Sequence, residues 1–136
     1  MDIRDIAPGF AVAPQIQPDE VPAIAERGFV AIVCNRPDGE EPGQPSVDAI
    51  RQAAESAGLA FHHIPVAGGA FPAEAVDAFR TLRQDAEGPV LAYCRSGTRC
   101  IMLDTLANPE NLAPSERLRR AAAAGYDLSA LSDRLS

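Results

Sequence analysis

Apolar positions along this chain alternate between two regimes, short runs and longer stretches in which they return every three or four residues. The runs at residues 10–13, 29–34, 59–66 and 89–93 have the length of strands, and the unbroken 29–34 segment has the character of a strand covered on both faces. Val21, Ile24 and Ala25 share one side of a helical turn, as do Ile50, Ala53 and Ala54, and Val76, Phe79 and Leu82, so a helix is predicted after each of the first three strands. Local signals bound these helices: Ser46 is an N-cap, Gly28 and Gly58 are stops, and Pro72 suits a first turn. After residue 93 the pattern is helical again, through Ile101, Met102, Leu103 and Leu106 to Asn108-Pro109, and then from Ser115 to Ala124 with Gly125 as its stop. Alternating strands and helices predict an α/β fold, a mostly parallel sheet of four to five strands flanked by helices, with the working site at the carboxyl ends of the strands.

Length refines this to one domain over 1–136, because a chain of 136 residues builds one efficient core and not two. A helical C-terminal segment at about 114–136 is expected to dock on the body. With 46% hydrophobic residues, only 5% aromatic and no Trp, that core is aliphatic. The formal net charge of -7 opposes nucleic acid and anionic membrane partners. No apolar run approaches the ~20 residues of a membrane span. Met1 to Asp5 lack the pattern of a signal peptide, so the cytoplasm is the expected compartment.

The three cysteines, Cys34, Cys94 and Cys100, are odd in number, lack a disulfide-framework spacing and are expected to stay free. No Cys and His cluster has zinc-ligand spacing, and His62 and His63, adjacent on a strand, point to opposite faces, so neither a metal nor a cofactor is expected.

Candidate chemistry concentrates in Cys94-Arg95-Ser96-Gly97-Thr98-Arg99, which lies between a buried strand and a helix. Backbone N–H groups converge in such a turn, and the helix N-terminus adds positive potential, so the loop is an anion site. A thiol there ionises readily, which makes Cys94 the nucleophile candidate and Arg99 the planar fork that clamps an oxyanion or a sulfur-bearing group. Arg95, Ser96, Gly97 and Thr98 are the expected anion-binding residues, with Gly97 at the tightest point. Residues 36–45 hold three prolines, two glycines and three carboxylates and are expected to form an exposed loop. From this loop Asp38, Glu40 or Glu41 is a candidate general acid, and Arg36 either pairs with the turn or binds substrate.

These blocks, namely Val33-Cys34-Asn35-Arg36-Pro37-Asp38-Gly39-Glu40, Ala60-Phe61-His62-His63-Ile64-Pro65-Val66, Tyr93 through Arg99, and Ala124-Gly125-Tyr126-Asp127-Leu128, occur in the order that makes the chain resemble the phosphatase-like domain of beta-lactamase hydrolase-like proteins. That family belongs to the cysteine-phosphatase superfamily and is often labelled a sulfur transferase. The resemblance implies a single-domain cysteine-phosphatase-like fold and leaves two reactions open. Cysteine phosphatases place five residues between nucleophile and arginine, whereas four intervene between Cys94 and Arg99, as in rhodanese-like sulfurtransferases. Related phosphatases carry an acidic residue in the loop that here reads Ala67-Gly68-Gly69-Ala70. The hydroxyl residue that commonly follows the loop arginine is replaced by Cys100, a weaker donor, which either packs as a small buried residue or resolves an oxidised or persulfidated Cys94.

The expected function is therefore sulfur transfer through a Cys94 persulfide. Phosphomonoester hydrolysis through a phosphocysteine is the alternative, and a non-catalytic anion-binding or redox-sensing module is the third. The expected partner is a small-molecule sulfur donor or a phosphorylated substrate, and the resemblance implies a setting of sulfide or persulfide detoxification.

Overall fold

The computed structural model describes residues 1–67 and 69–135, so Gly68 of the Gly-rich loop and Ser136 of the C-terminal segment lie outside the described residues. Strands β1 (Arg4–Ala7), β2 (Phe10–Ala13), β3 (Ala31–Cys34), β4 (Ala60–His63) and β5 (Val90–Tyr93) form one sheet in the order β1-β2-β5-β3-β4. β1 runs antiparallel to β2, and the other four strands are parallel. The helices are α1 (Val21–Glu26), α2 (Val47–Ser56), α3 (Ala73–Asp85), α4 (Thr98–Ala107) and α5 (Pro114–Ala123), followed by a 3-10 turn over Ser129–Arg134.

Side-chain alternation along the three central strands divides the core in two. Phe10, Val12, Ala31, Val33, Val90 and Ala92 face one way and pack with Phe79 of α3, Ile101 and Leu103 of α4 and Ala121 of α5. Ala11, Ala13, Ile32, Cys34, Leu91 and Tyr93 face the other way, toward Ile24 of α1 and Ile50 and Ala54 of α2. All twelve of these strand residues are buried, which explains why the strands read as continuous apolar runs.

β1 departs from the expected pattern, in which the first strand was Phe10–Ala13. Its sequence, Arg4-Asp5-Ile6-Ala7, carries two charges and none of its residues is fully buried, because an antiparallel edge strand needs no second apolar face. The segment expected as a strand over 59–66 is assigned to β4 only at Ala60–His63, yet Ile64 and Val66 still donate backbone hydrogen bonds to Cys34 and Asn35 at 2.9 and 3.1 Å. Pro65 contributes no donor between them, so the extended track continues without a regular ladder.

Parallel β2, β5, β3 and β4 direct their carboxyl ends to one edge of the sheet. Ala13, Cys34, His63 and Tyr93 end there, and the loops that follow carry the chemistry. Among the described residues no helix is long and apolar enough to cross a membrane.

Candidate active site

Cys94 follows the last residue of β5, and its N–H reaches the Ala13 carbonyl at 3.4 Å. The chain then turns through Arg95, Ser96 and Gly97 into α4. Gly97 has φ of 90° and is buried, so the turn uses the left-handed conformation that glycine adopts at little cost. In this conformation the Gly97 N–H donates to Cys94 Sγ at 3.1 Å. The Ser96 hydroxyl accepts from the Thr98 N–H at 3.4 Å and donates to Thr98 Oγ1 at 3.0 Å, which holds the first turn of α4.

The Cys94 thiol is pulled down to about 5. Its largest cause is a hydrogen bond from the Cys100 thiol, opposed by burial and reinforced by the backbone amides of Cys100, Ser96 and Gly97. Cys100 is fully buried, and burial pushes its own thiol well up. The two thiols are thus pushed in opposite directions, Cys94 down and Cys100 up, which favours negative charge on Cys94 over Cys100. Cys100 is a packed residue of α4, one of the two roles expected of it. Cys34, expected as strand core, is buried, and its thiol donates to the Arg36 carbonyl at 3.2 Å.

Arg99 is gripped by the loop after β3. Its two terminal nitrogens donate to the two oxygens of Glu40 at 2.7 and 2.8 Å, and one also donates to the Val66 carbonyl at 2.8 Å. Arg36, with only 1% exposure, donates to Glu40 and Glu41 at 2.8 and 2.9 Å and to the Gln15 side chain at 2.9 Å. Arg36 thus pairs with its own turn, one of the two roles expected of it. A cavity of about 380 Å³ is lined by Arg36, Glu40, Glu41, Arg95 and Arg99. Arg95 is 70% exposed and lies 3.7 Å from Glu41, a distance at which an exposed pair contributes little.

The three carboxylates expected as acids have other partners. Asp38 accepts from the Val47 backbone N–H at 2.7 Å and so secures the start of α2. Hydrogen bonds from Arg99 hold Glu40 at about 2, with Arg36 adding to them against the effect of burial, so Glu40 carries no proton to donate at neutral pH. Arg36 likewise holds Glu41 below the ordinary carboxylate range. His63 lies 3.0 Å from the Arg36 carbonyl, while His62 is exposed and its imidazole is lowered by the partial desolvation it does have. Among the described residues no group of His, Cys, Asp or Glu is placed to hold a metal ion.

Glu40 should make folding sensitive to acid. Its folded value lies below the 4.5 of the free group, so its contribution is complete above about pH 4.5 and lost as pH falls toward 2. Urea melts of the native protein should lose stability across that window, and Glu40→Gln should flatten the loss. An unchanged slope in the variant would show that the pair carries none of it.

Gln15, the Val66 carbonyl and Tyr126 also touch this centre and were not among the sequence candidates. Gln15 meets Arg36 across 21 positions and Val66 meets Arg99 across 33, separations at which no local pattern gives a signal. Tyr126 lay in a block that carried the family resemblance, with no role attached to it.

Comparison with known proteins agrees with this architecture. The family model described as "Beta-lactamase hydrolase-like protein, phosphatase-like domain" matches residues 2–111. A beta-lactamase hydrolase-like protein of Xylella fastidiosa is 43% identical over 107 residues, which cover 79% of this chain and 25% of the relative. The chain thus spans about a quarter of the length of the curated relatives it matches. A crystal structure of a candidate phosphatase from Neisseria meningitidis is 40% identical, covers 100% of this chain and 97% of its own, and superposes with a TM-score of 0.86. The core catalytic domain of a PP-IP phosphatase from S. cerevisiae shares the fold, with a TM-score of 0.71 at 14% identity over 98% of this chain and 82% of its own. Both of these solved neighbours are described as phosphatases.

Proposed function

Because the chain belongs to the phosphatase-like domain family of beta-lactamase hydrolase-like proteins, we propose that it is a cysteine-dependent phosphohydrolase. The observation that carries this is the Cys94 sulfur held on the Gly97 amide at 3.1 Å at the start of α4, where its thiol is pulled down to about 5. The thiolate attacks phosphorus, the ester or anhydride oxygen leaves with the bonding pair, and water then hydrolyses the phosphocysteine. Loop amides and Arg99 stabilise the charge on the equatorial oxygens.

The leaving oxygen decides the substrate class. Asp38 is committed to the Val47 amide, and Glu40 and Glu41 are ionised against arginines. Without a carboxylic acid ready to protonate an alkoxide, the site is suited to groups that leave as stable anions, namely aryl phosphates and phosphoanhydrides. Rates across a series of aryl phosphates should therefore depend steeply on leaving-group acidity, with alkyl phosphates turned over far more slowly. A flat dependence would point to a proton donor at work.

A second reading, persulfide transfer, is supported by the four-residue spacing from Cys94 to Arg99. Here the thiolate takes the outer sulfur of a donor, releases the donor anion, and passes the sulfur to an acceptor thiolate, with no proton required. Parallel assays with p-nitrophenyl phosphate, thiosulfate and glutathione persulfide, each against Cys94→Ser, separate the two. Phosphate release lost in the variant supports hydrolysis, sulfur transfer without phosphate release replaces it with the second reading, and turnover of none of the three removes both.

A further inference from the structure

Tyr126 follows the end of α5 and lies outside the matched residues 2–111, yet its hydroxyl donates to the Ser96 carbonyl at 3.2 Å. The Ser96 carbonyl and the Gly97 N–H belong to one peptide group, and that N–H is the donor to Cys94 Sγ at 3.1 Å. No peptide bond among the described residues is cis, so this C=O and N–H point in opposite directions from the same plane. A partner that fixes the carbonyl on the outer side therefore aims the amide at the sulfur on the inner side. It also polarises the peptide and strengthens the N–H as a donor.

The surroundings fit this arrangement. A Cβ on Gly97 would collide with the Tyr126 hydroxyl, so glycine vacates the space that the tyrosine uses, in addition to allowing φ of 90°. The ring is seated from outside: the Arg4 guanidinium lies 5.3 Å from its centroid and also donates to the Ala124 carbonyl at 3.0 Å. The Tyr126 N–H donates to the Ala121 carbonyl at 2.8 Å, closing α5. Burial raises the phenol above its ordinary value, so the group is a donor at neutral pH.

We infer that Tyr126 is a positioning residue for the nucleophile: through the Ser96–Gly97 peptide its hydroxyl orients and polarises the amide that stabilises the Cys94 thiolate. This rests on the thiolate reading of Cys94 and adds to it a residue from the C-terminal segment.

The test is the pH dependence of Cys94 alkylation by iodoacetamide, a neutral reagent that reports the thiolate, in the native chain and in Tyr126→Phe with Cys94→Ser as the blank. Phenylalanine keeps the ring, its seat beside Arg4 and its packing. The inflection should move up by about half to one unit in the variant, on the scale of one lost hydrogen bond, with alkylation below the inflection slowed roughly three- to tenfold and the alkaline plateau unchanged. The Gly97 amide proton should move upfield in the NMR spectrum. Aryl phosphate kcat/KM should fall more at pH 5 than at pH 8, a pattern that loosened packing would not produce. An unchanged inflection and unchanged Gly97 shift in Tyr126→Phe, with the native inflection low, overturn the inference alone. A native inflection near the ordinary thiol value overturns the thiolate reading and the inference with it.

Discussion

Cys94→Ser is expected to reduce turnover by about 10⁴-fold or more with every substrate, because a serine hydroxyl in the same cradle stays protonated at neutral pH and cannot take over the attack. The reason lies in where the loop places its donors. The Cys100 thiol and the amides of Cys100, Ser96 and Gly97 bring the Cys94 thiol down to about 5, a change that acts on a thiol already within a few units of neutrality. An alcohol starts too far from neutrality for the same donors to ionise it. The fold should persist, since serine is close to isosteric and the surrounding apolar packing is unaltered. Steady-state rates, with a thermal melt alongside, check this. Residual activity within tenfold of the native protein would remove Cys94 from the chemistry.

Arg99→Lys should lower kcat/KM roughly 10²–10³-fold although the charge is kept, a loss on the scale of removing one preorganised oxyanion donor. The guanidinium spans both oxygens of Glu40 and the Val66 carbonyl at once, at 2.7 to 2.8 Å, and is thereby held in one orientation beside the thiolate. Lysine offers a point charge on a flexible stem and cannot reproduce that planar fork. The matched control is Arg95→Lys, expected to change kcat/KM by only a few-fold, because Arg95 is 70% exposed and has only a 3.7 Å contact with Glu41. Equal effects at the two positions would mean that Arg99 contributes net charge alone. Glu40 offers a second readout: with the fork gone, its carboxyl should titrate nearer its ordinary value.

The expected acidic loop shows how far sequence reasoning reaches at this site. Residues 36–45 read correctly as a connection rich in proline, glycine and charge, and the three carboxylates were natural candidates for proton donors. The protonation states of Glu40 and Glu41 depend on arginines that meet them in space. Glu40 is bonded to Arg36, four residues away, but also to Arg99 across 59 positions, and it is the second contact that acts most strongly on its proton. Asp38 sits nine residues before the amide it holds, a separation that no helix or turn pattern marks. β1 escaped notice for a related reason, since an edge strand bearing Arg4 and Asp5 has little apolar pattern of its own.

Local order along the chain was sufficient for the alternation of strands and helices, the placement of Cys94 after β5 and the tight turn into α4, because each depends on residues within a few positions of one another. Backbone geometry over such short spans leaves few choices, and Gly97 admits the left-handed φ of 90° that the tight turn needs. Chain folding alone pushed the Cys94 thiol down and the Cys100 thiol up, locked Glu40 between two arginines, and brought Tyr126 onto the Ser96 carbonyl. Burial and charge–charge contact act through space and over distances of a few ångströms, so residues 30 to 60 positions apart acquire their chemical state only when the sheet and its loops bring them together.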